Sequence, residues 1–462
     1  MITDGIFDST STICAVSTPR GAGGIAVIRV SGPDAIAITD SVWKGVRLAS
    51  AKSHTAHFGE IIDPERPGEA IDECVATLFR GPRSFTGEDT VELSVHGSRW
   101  IQREVISLLI RQGCRAAMAG EFTRRALLNG RLDLAQAEAV ADVIASSSRA
   151  AHRLAASQLK GTFSRRLGEL RENLLTLASL LELELDFSEE DVEFADRSRL
   201  RTLASEIATE LGRLHKSYAA GAAIKDGIPV AIAGATNAGK SSLLNRLLSD
   251  DRAIVSDIHG TTRDTIEETL EVGDYLYRFI DTAGVRETDD PIERMGIDRS
   301  LSAISHARIV ITVIDPAEPL PHEIIEKIGA LQDAGVIFFV NKSDLSRADI
   351  TGALPDDSVI IYGSAKTGEG IDTLLAKIEE MTRTDCCEDE DTVMVTNARH
   401  AAALAAARDE ALRVIDTLDQ NLPPELTAEH LRQTISHLSS ITGDIPTPEI
   451  LQTIFSKFCI GK

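Results

Sequence analysis

Residues 234–241 read GATNAGKS, and they constrain this chain more than any other stretch because they fit the pattern G-x-x-x-x-G-K-[ST]. An apolar run at 228–233 leads into them, and the helix-forming SLLNRLL of 242–248 follows. That order calls for a strand, a tight turn and a helix. The glycines let successive backbone N–H groups curl around a phosphate, and the helix N-terminus adds positive potential. Lys240 is then placed to reach the β- and γ-phosphates, and Ser241 to ligate Mg²⁺. A chance Gly-rich turn is the competing reading, and the flanking strand and helix weigh against it.

Three further motifs follow in order. Residues 281–284 are DTAG at the end of an apolar run, where Asp281 holds the magnesium shell and Gly284 offers its N–H to a γ-phosphate. Residues 341–344 are NKSD, again after an apolar run. A carboxylate at Asp344 accepts N1–H and N2–H₂ from a guanine edge, a pattern that adenine does not present. Residues 364–366 are SAK and close over the base. Between the first two motifs lies GTTRD at 260–264. Its Thr262 is the expected switch threonine on Mg²⁺, with an ordinary polar loop threonine as the alternative. Any one motif is weak; four in sequence imply a GTP-hydrolysing switch over about 223–383.

The chemistry of hydrolysis is unusual. Val285 follows DTAG where many small GTPases place a glutamine, and valine cannot orient water. The developing charge also needs a cation. Asn237 can lend a side-chain oxygen to a monovalent cation, with carbonyls from the loop 253–260, so that K⁺ replaces an arginine finger; equally, Asn237 can be a turn residue that tolerates an unusual φ. Glu293 can act on the attacking water through a second water, or it can be a solvated charge in an acidic loop.

The rest of the chain frames this domain. At 462 residues, two or three domains are expected. Residues 1–125 read as mixed α/β, with strands at 24–30 and 90–95 and turns at Gly32-Pro33 and Gly81-Pro82. Residues 126–222 carry helical spacing, as in Leu132, Ala135, Ala139 and Val143, and predict helices of roughly 15 to 30 residues, broken at the acidic stretch 186–193. From 228 onward, apolar runs at 228–233, 309–314, 336–340 and 359–362 alternate with helical segments, which predicts a doubly wound sheet. Two alternating runs around Gly273-Asp274 predict a hairpin. Residues 384–391 read as an acidic linker, after which helical composition returns. The expected fold class is therefore multidomain α/β plus all-α. It has an N-terminal α/β domain (1–125), a helical domain in two halves (126–222 and 384–462) and an inserted Ras-like P-loop G domain (223–383).

Charge and cysteine usage narrow the partners. A net charge of −23 repels phosphate backbones on average, so any nucleic-acid role needs a local basic patch or a basic partner. No run of 18 apolar residues appears, so no membrane span is expected. Residues 1–11 lack the basic flank and apolar core of a secretory leader. The six cysteines show no metal-ligand spacing and are expected to be reduced, in a cytoplasmic protein.

The chain also resembles the MnmE (TrmE) family of tRNA-modification GTPases over essentially its whole length. The resemblance is carried by GPRSFTGEDTVE at 81–92, GEFTRRALLNGRLDLAQAEAVADV at 120–143, AIVSDIHGTTRD at 253–264, DTAGVRET at 281–288 and the final FCIGK at 458–462. Generic GTPases share the P-loop and NKxD but not SFTGED, the NGRLDLAQAEA run or the CIGK tail. The resemblance implies a K⁺-dependent GTPase, homodimeric, whose G domains meet across the dimer. With the flavoprotein MnmG (GidA), which carries FAD, in a heterotetramer, it installs a carboxymethylaminomethyl-type group on carbon 5 of the wobble uridine (position 34) of certain tRNAs, using a one-carbon folate (5-formyl- or 5,10-methylene-tetrahydrofolate). Contact with tRNA is made through the complex.

By the same resemblance, GTP is held by Asn237, Ala238, Gly239, Lys240, Ser241, Ser242, Ser256, Asp257, Ile258, His259, Gly260, Thr261, Thr262, Asp281, Thr282, Ala283, Gly284, Asn341, Lys342, Asp344, Ser364, Ala365 and Lys366. K⁺ falls to Asn237, Ser256, Ile258 and Thr261, with Ser256 and Ile258 acting through main-chain oxygens; Mg²⁺ falls to Ser241 and Thr262. Glu293 becomes the water-orienting acid beside Lys240 in catalysis. Arg29, Glu92, Arg131 and Lys462 match the folate positions, for each of which a surface ion pair is the plainer reading. Cys459 is either a reactive thiol at that site or a small buried hydrophobe. Thr236 and Ala119 replace prolines common in the family, which alters loop stiffness and removes no ligand. Two other classes compete: a ribosome-assembly GTPase, which would carry a basic RNA-binding module that is not visible here, and a dimer that nucleotide merely stabilises.

Overall fold

The computed structural model describes residues 10–66, 68–186, 197–235, 237–249, 268–280, 304–318, 322–331, 334–345, 354, 358–386 and 393–443, together with 451, 454, 455, 458 and 461. These form two compact units. One comprises Met1–Ala141, Gln158–Glu169 and Ser436–Lys462, and the other Asp142–Ser157 and Leu170–Ile435.

The first unit is built on a sheet of seven strands among the described residues: β1 (Ile13–Val16), β2 (Ile25–Ser31), β3 (Trp43–Gly45), β4 (Thr55–Ile62), β5 (Ala70–Phe79), β6 (Thr90–His96) and β7 (Arg115–Ala116), in the order β3-β4-β5-β6-β2-β1-β7. The predicted strands at 24–30 and 90–95 are β2 and β6. They pair antiparallel and place Arg29 opposite Glu92. Alternation sends Ala26, Ile28 and Val30 of β2, with Val91, Leu93 and Val95 of β6, into one core. The helices Ala35–Ser41 and Arg99–Arg111 contribute Ala35, Ile36, Val105, Leu108 and Leu109 to the same core. The second helix starts at Ser98, whose hydroxyl accepts the Trp100 N–H.

Helices of the predicted length form at Thr162–Asp186 (25 residues) and Arg197–Lys216 (20 residues), and shorter ones precede them. Glu121–Leu128, Leu134–Ala145 and Arg149–Leu159 have 8, 12 and 11 residues. Gly130, at φ +65, ends the first of them. The expected break at the acidic stretch 186–193 falls almost wholly on residues 187–196, which lie outside the described residues.

The second unit contains a six-stranded sheet among the described residues: β8 (Ile228–Gly234), β9 (Glu268–Val272), β10 (Tyr275–Phe279), β11 (Ile309–Ile314), β12 (Gly335–Val340) and β13 (Val359–Tyr362), in the order β13-β12-β11-β8-β10-β9. Every pairing is parallel except β9 with β10, the predicted hairpin, whose two-residue turn puts Gly273 at φ +59. Both faces of the sheet are covered. Val230, Ile232, Ile309, Ile311 and Phe339 point into one core, and their neighbours Ala231, Ala233, Val310 and Phe338 into another. Two-sided burial is why these strands read as unbroken apolar runs.

The expected linker at 384–391 begins later than the sequence suggested. The helix Ile371–Cys386 continues through its first three residues, since no glycine or proline stops it; residues 387–391 lie outside the described residues. Ala398–Asp419, capped by Asn397, and Pro424–Thr442 restore the helical composition. Cys14, Cys74 and Cys114 are buried free thiols, and burial pushes that of Cys74 up to about 12. No helix among the described residues is long and apolar enough to cross a membrane.

Candidate functional site

The P-loop is shaped by close approaches that only glycine permits. Gly234 ends β8 at φ +144, and a Cβ there would lie 2.2 Å from the Val313 carbonyl oxygen. Gly239, at φ +100, precedes the helix Lys240–Leu248, and a Cβ there would lie 2.1 Å from Asn341 Nδ2. Asn237 stands at φ +64 with its side chain exposed. The turn reading accounts for its backbone; the cation reading concerns its side chain. Lys240 Nζ folds back over the loop and donates to Gly234 O at 3.0 Å and Ala235 O at 2.8 Å. Burial lowers its pKa, so an anion bound beside it would offset the lost hydration and hold its charge. Ser241 is half-buried in the first turn of the helix and Ser242 is exposed.

NKSD and SAK meet the P-loop through Asn341. Its Nδ2 donates to Ala238 O at 2.8 Å, and its Oδ1 accepts the Ala365 N–H at 2.9 Å. One buried amide thus joins the phosphate loop to the base loop, which the order of motifs did not reveal. Ser364 and Ala365 are buried, and Lys366 and Asp344 are exposed. Ser364 Oγ accepts the Thr367 N–H, and Arg246 of the P-loop helix donates to Thr367 O at 2.9 Å. Ser256, Asp257, Ile258, His259, Gly260, Thr261, Thr262, Asp281, Thr282, Ala283, Gly284 and Glu293 lie outside the described residues, as do Cys459 and Lys462.

The first unit holds a second cluster. Arg29 and Glu92 face each other across β2 and β6, with Arg29 Nε 2.9 Å and Nη2 2.8 Å from Glu92 Oε1. The guanidinium carbon lies 5.0 Å from the Phe85 ring centre and 5.5 Å from that of Phe122. Neither ring was expected. Phe85 stands in the SFTGED loop and is partly exposed, which gives the pair an aromatic wall. Arg131 borders the same loop, its Cγ 3.2 Å from where a Cβ on Gly87 would sit. Gly461 reaches β1, with its carbonyl accepting from Ser17 Oγ at 2.9 Å; Ala15 of that strand lies opposite Arg29.

The loop is held from beneath. Glu88 accepts from Ser31 Oγ at 2.8 Å and from Arg125 Nη1 at 3.1 Å. Arg125 also bonds Glu121, which accepts from Arg115 and from the Met118 N–H. Burial alone would raise the Glu121 carboxyl, but Arg115, the Met118 N–H and Arg125 together hold it below its ordinary range. The run GEFTRRALLNGR was visible as a motif, yet nothing in it distinguished buried Glu121 and Arg125 from solvated charges.

Comparison with known proteins shows the family. The family description "GTP-binding protein TrmE N-terminus" matches residues 12–131, and "MnmE helical domain" matches 134–459. The tRNA modification GTPase MnmE of Parabacteroides distasonis is 49% identical, covering 98% of this chain and 100% of that one. The protein of the same name from Porphyromonas gingivalis is 48% identical over 98% of each. Among solved structures, Aquifex aeolicus Era bound to GDP and aluminium fluoride is 26% identical, covers 40% of this chain and 66% of that chain, and has a TM-score of 0.27. Matched along nearly its entire length by such relatives, and carrying the guanine-nucleotide motifs on the strand ends that their chemistry requires, the chain belongs to the MnmE family of tRNA-modification GTPases.

Proposed function

We propose that this GTPase is K⁺-dependent and works as a homodimer with the flavoprotein MnmG in a heterotetramer. The complex adds a carboxymethylaminomethyl group to carbon 5 of the wobble uridine of certain tRNAs with a one-carbon tetrahydrofolate. The observation that carries the reading is the Arg29–Glu92 pair, flanked by Phe85 and Phe122, in a chain that also holds a guanine-nucleotide frame.

The residues present suit these groups. The cradle around Gly239 is too narrow for a Cβ, and the Lys240 ammonium rests on main-chain carbonyls that a phosphate would displace. Glu92 accepts from a pterin ring, Arg29 and Arg131 with Lys462 take carboxylates, and Phe85 offers a face to a flat ring. Asp344 reads the guanine edge. Asn237, Ser256, Ile258 and Thr261 hold K⁺, and Ser241 and Thr262 hold Mg²⁺. Glu293 orients water in place of the glutamine that Val285 replaces, and Cys459 stands in the folate-side tail. When bound, the two cations supply positive charge to the transferred phosphoryl group, and the folate supplies the one-carbon unit.

Mass spectrometry of tRNA from a strain lacking this chain tests the reading. Loss of the modified wobble uridine, restored by the wild-type chain but not by an Arg29→Ala variant, is the expected result. Unchanged wobble uridines in the deletion strain overturn it.

A further inference from the structure

The parallel strands β11 and β12 run in register, with Ile314 opposite Val340, so the residues that follow leave the sheet side by side. Asp315 follows one strand, and Asn341 and Lys342 follow the other. Asp315 is only 8% exposed. Its Oδ1 accepts the Ala317 N–H at 3.0 Å, and its Oδ2 accepts from Lys342 Nζ at 2.5 Å. Lys342 has φ +61, a backbone region that lysine rarely adopts. Its neighbours hold it there: the Asn341 N–H donates to Ile314 O, the Ser343 N–H to Gly363 O and the Leu345 N–H to Lys342 O. The Lys342 amine is thus tied while about a third of its side chain stays exposed, in the same turn that carries Asn341 and Asp344. A tethered, charge-paired lysine presents its methylene stem as an apolar wall.

We propose that Asp315 is a positioning residue for guanine binding, holding the Lys342 stem extended against the ring whose edge Asp344 reads. This rests on assigning residues 341–344 to the guanine base. Asp315 acts through Lys342, and for GDP and GTP alike.

The test uses the full chain and fluorescent (mant) guanine nucleotides. Asp315→Asn removes the charge at constant shape. It is expected to raise the dissociation rate of mant-GDP and the KM for GTP each by about tenfold, while kcat changes less than twofold. Asp315→Glu is expected to recover most of the loss. In Lys342→Met, adding Asp315→Asn should make nothing worse. Unchanged dissociation and KM in Asp315→Asn, or additive losses in the double variant, overturn the inference. The underlying assignment is tested separately by Asp344→Asn with xanthosine nucleotides. If that variant changes selectivity and Asp315→Asn changes nothing, the inference alone fails. If Asp344→Asn leaves selectivity unchanged, the assignment fails and the inference with it.

Discussion

At the scale of single residues, the selectivity proposed for this chain rests on Asp344, and the surroundings of each residue decide what it can do. Asp344 is exposed, with its carboxylate available to two donors of a guanine edge. Replacing it by Asn turns one acceptor into a donor, so preference should move from GTP toward xanthosine triphosphate by at least about tenfold in kcat/KM. An unchanged ratio of the two would count against the role. Glu121 is the opposite case, a carboxylate buried among Arg115, Arg124 and Arg125. Glu121→Gln leaves those cations facing one another and should destabilise by about 3–5 kcal/mol. Because its folded pKa lies below the ordinary 4.5, the stabilisation is complete above that pH and is lost as pH falls through the folded value. Thermal midpoints of wild type and Glu121→Gln should therefore differ most near neutrality and converge below about pH 4.5. A gap that stays constant down to acid pH would mean the charge is not responsible.

At the level of elements, pairing register and close backbone approach bring together what the chain separates. Both β2 and β6 were legible as alternating runs, yet only their register places Arg29 against Glu92 rather than one residue away on the opposite face. Phe85 and Phe122 were illegible as partners because their proximity depends on the loop between β5 and β6 meeting the helix Glu121–Leu128. The C-terminal tail makes a similar case. Gly461 has φ +102, and a Cβ there would lie 2.1 Å from Val16 O. Gly461→Ala should push the tail off β1 and weaken the proposed folate binding about tenfold or more by isothermal titration, with mant-GDP affinity unaffected. Wild-type folate affinity in this variant would separate the tail from that site.

For the whole molecule, the G-domain motifs and their order were readable because each is a short local pattern whose chemistry demands a strand end. Val285 in place of glutamine leads to a prediction for the complete chain: GTP hydrolysis should be at least about tenfold faster in K⁺ than in Na⁺ at equal ionic strength. Equal rates would remove the cation from the mechanism. By itself, the sequence determined the doubly wound domain, the guanine-nucleotide motifs and the family, since local periodicity and contiguous phosphate-binding residues do not depend on distant chain. It also suggested long helices before residue 222, two of which form, and a linker from 384, where helix continuation decided otherwise. Only the tertiary structure decided that Asn341 ties the phosphate loop to the base loop, that Asp315 holds Lys342, and that Arg29 meets Glu92 between two rings. Those contacts join residues as far as 103 positions apart. They arise from sheet order and register, which no single segment of the chain encodes.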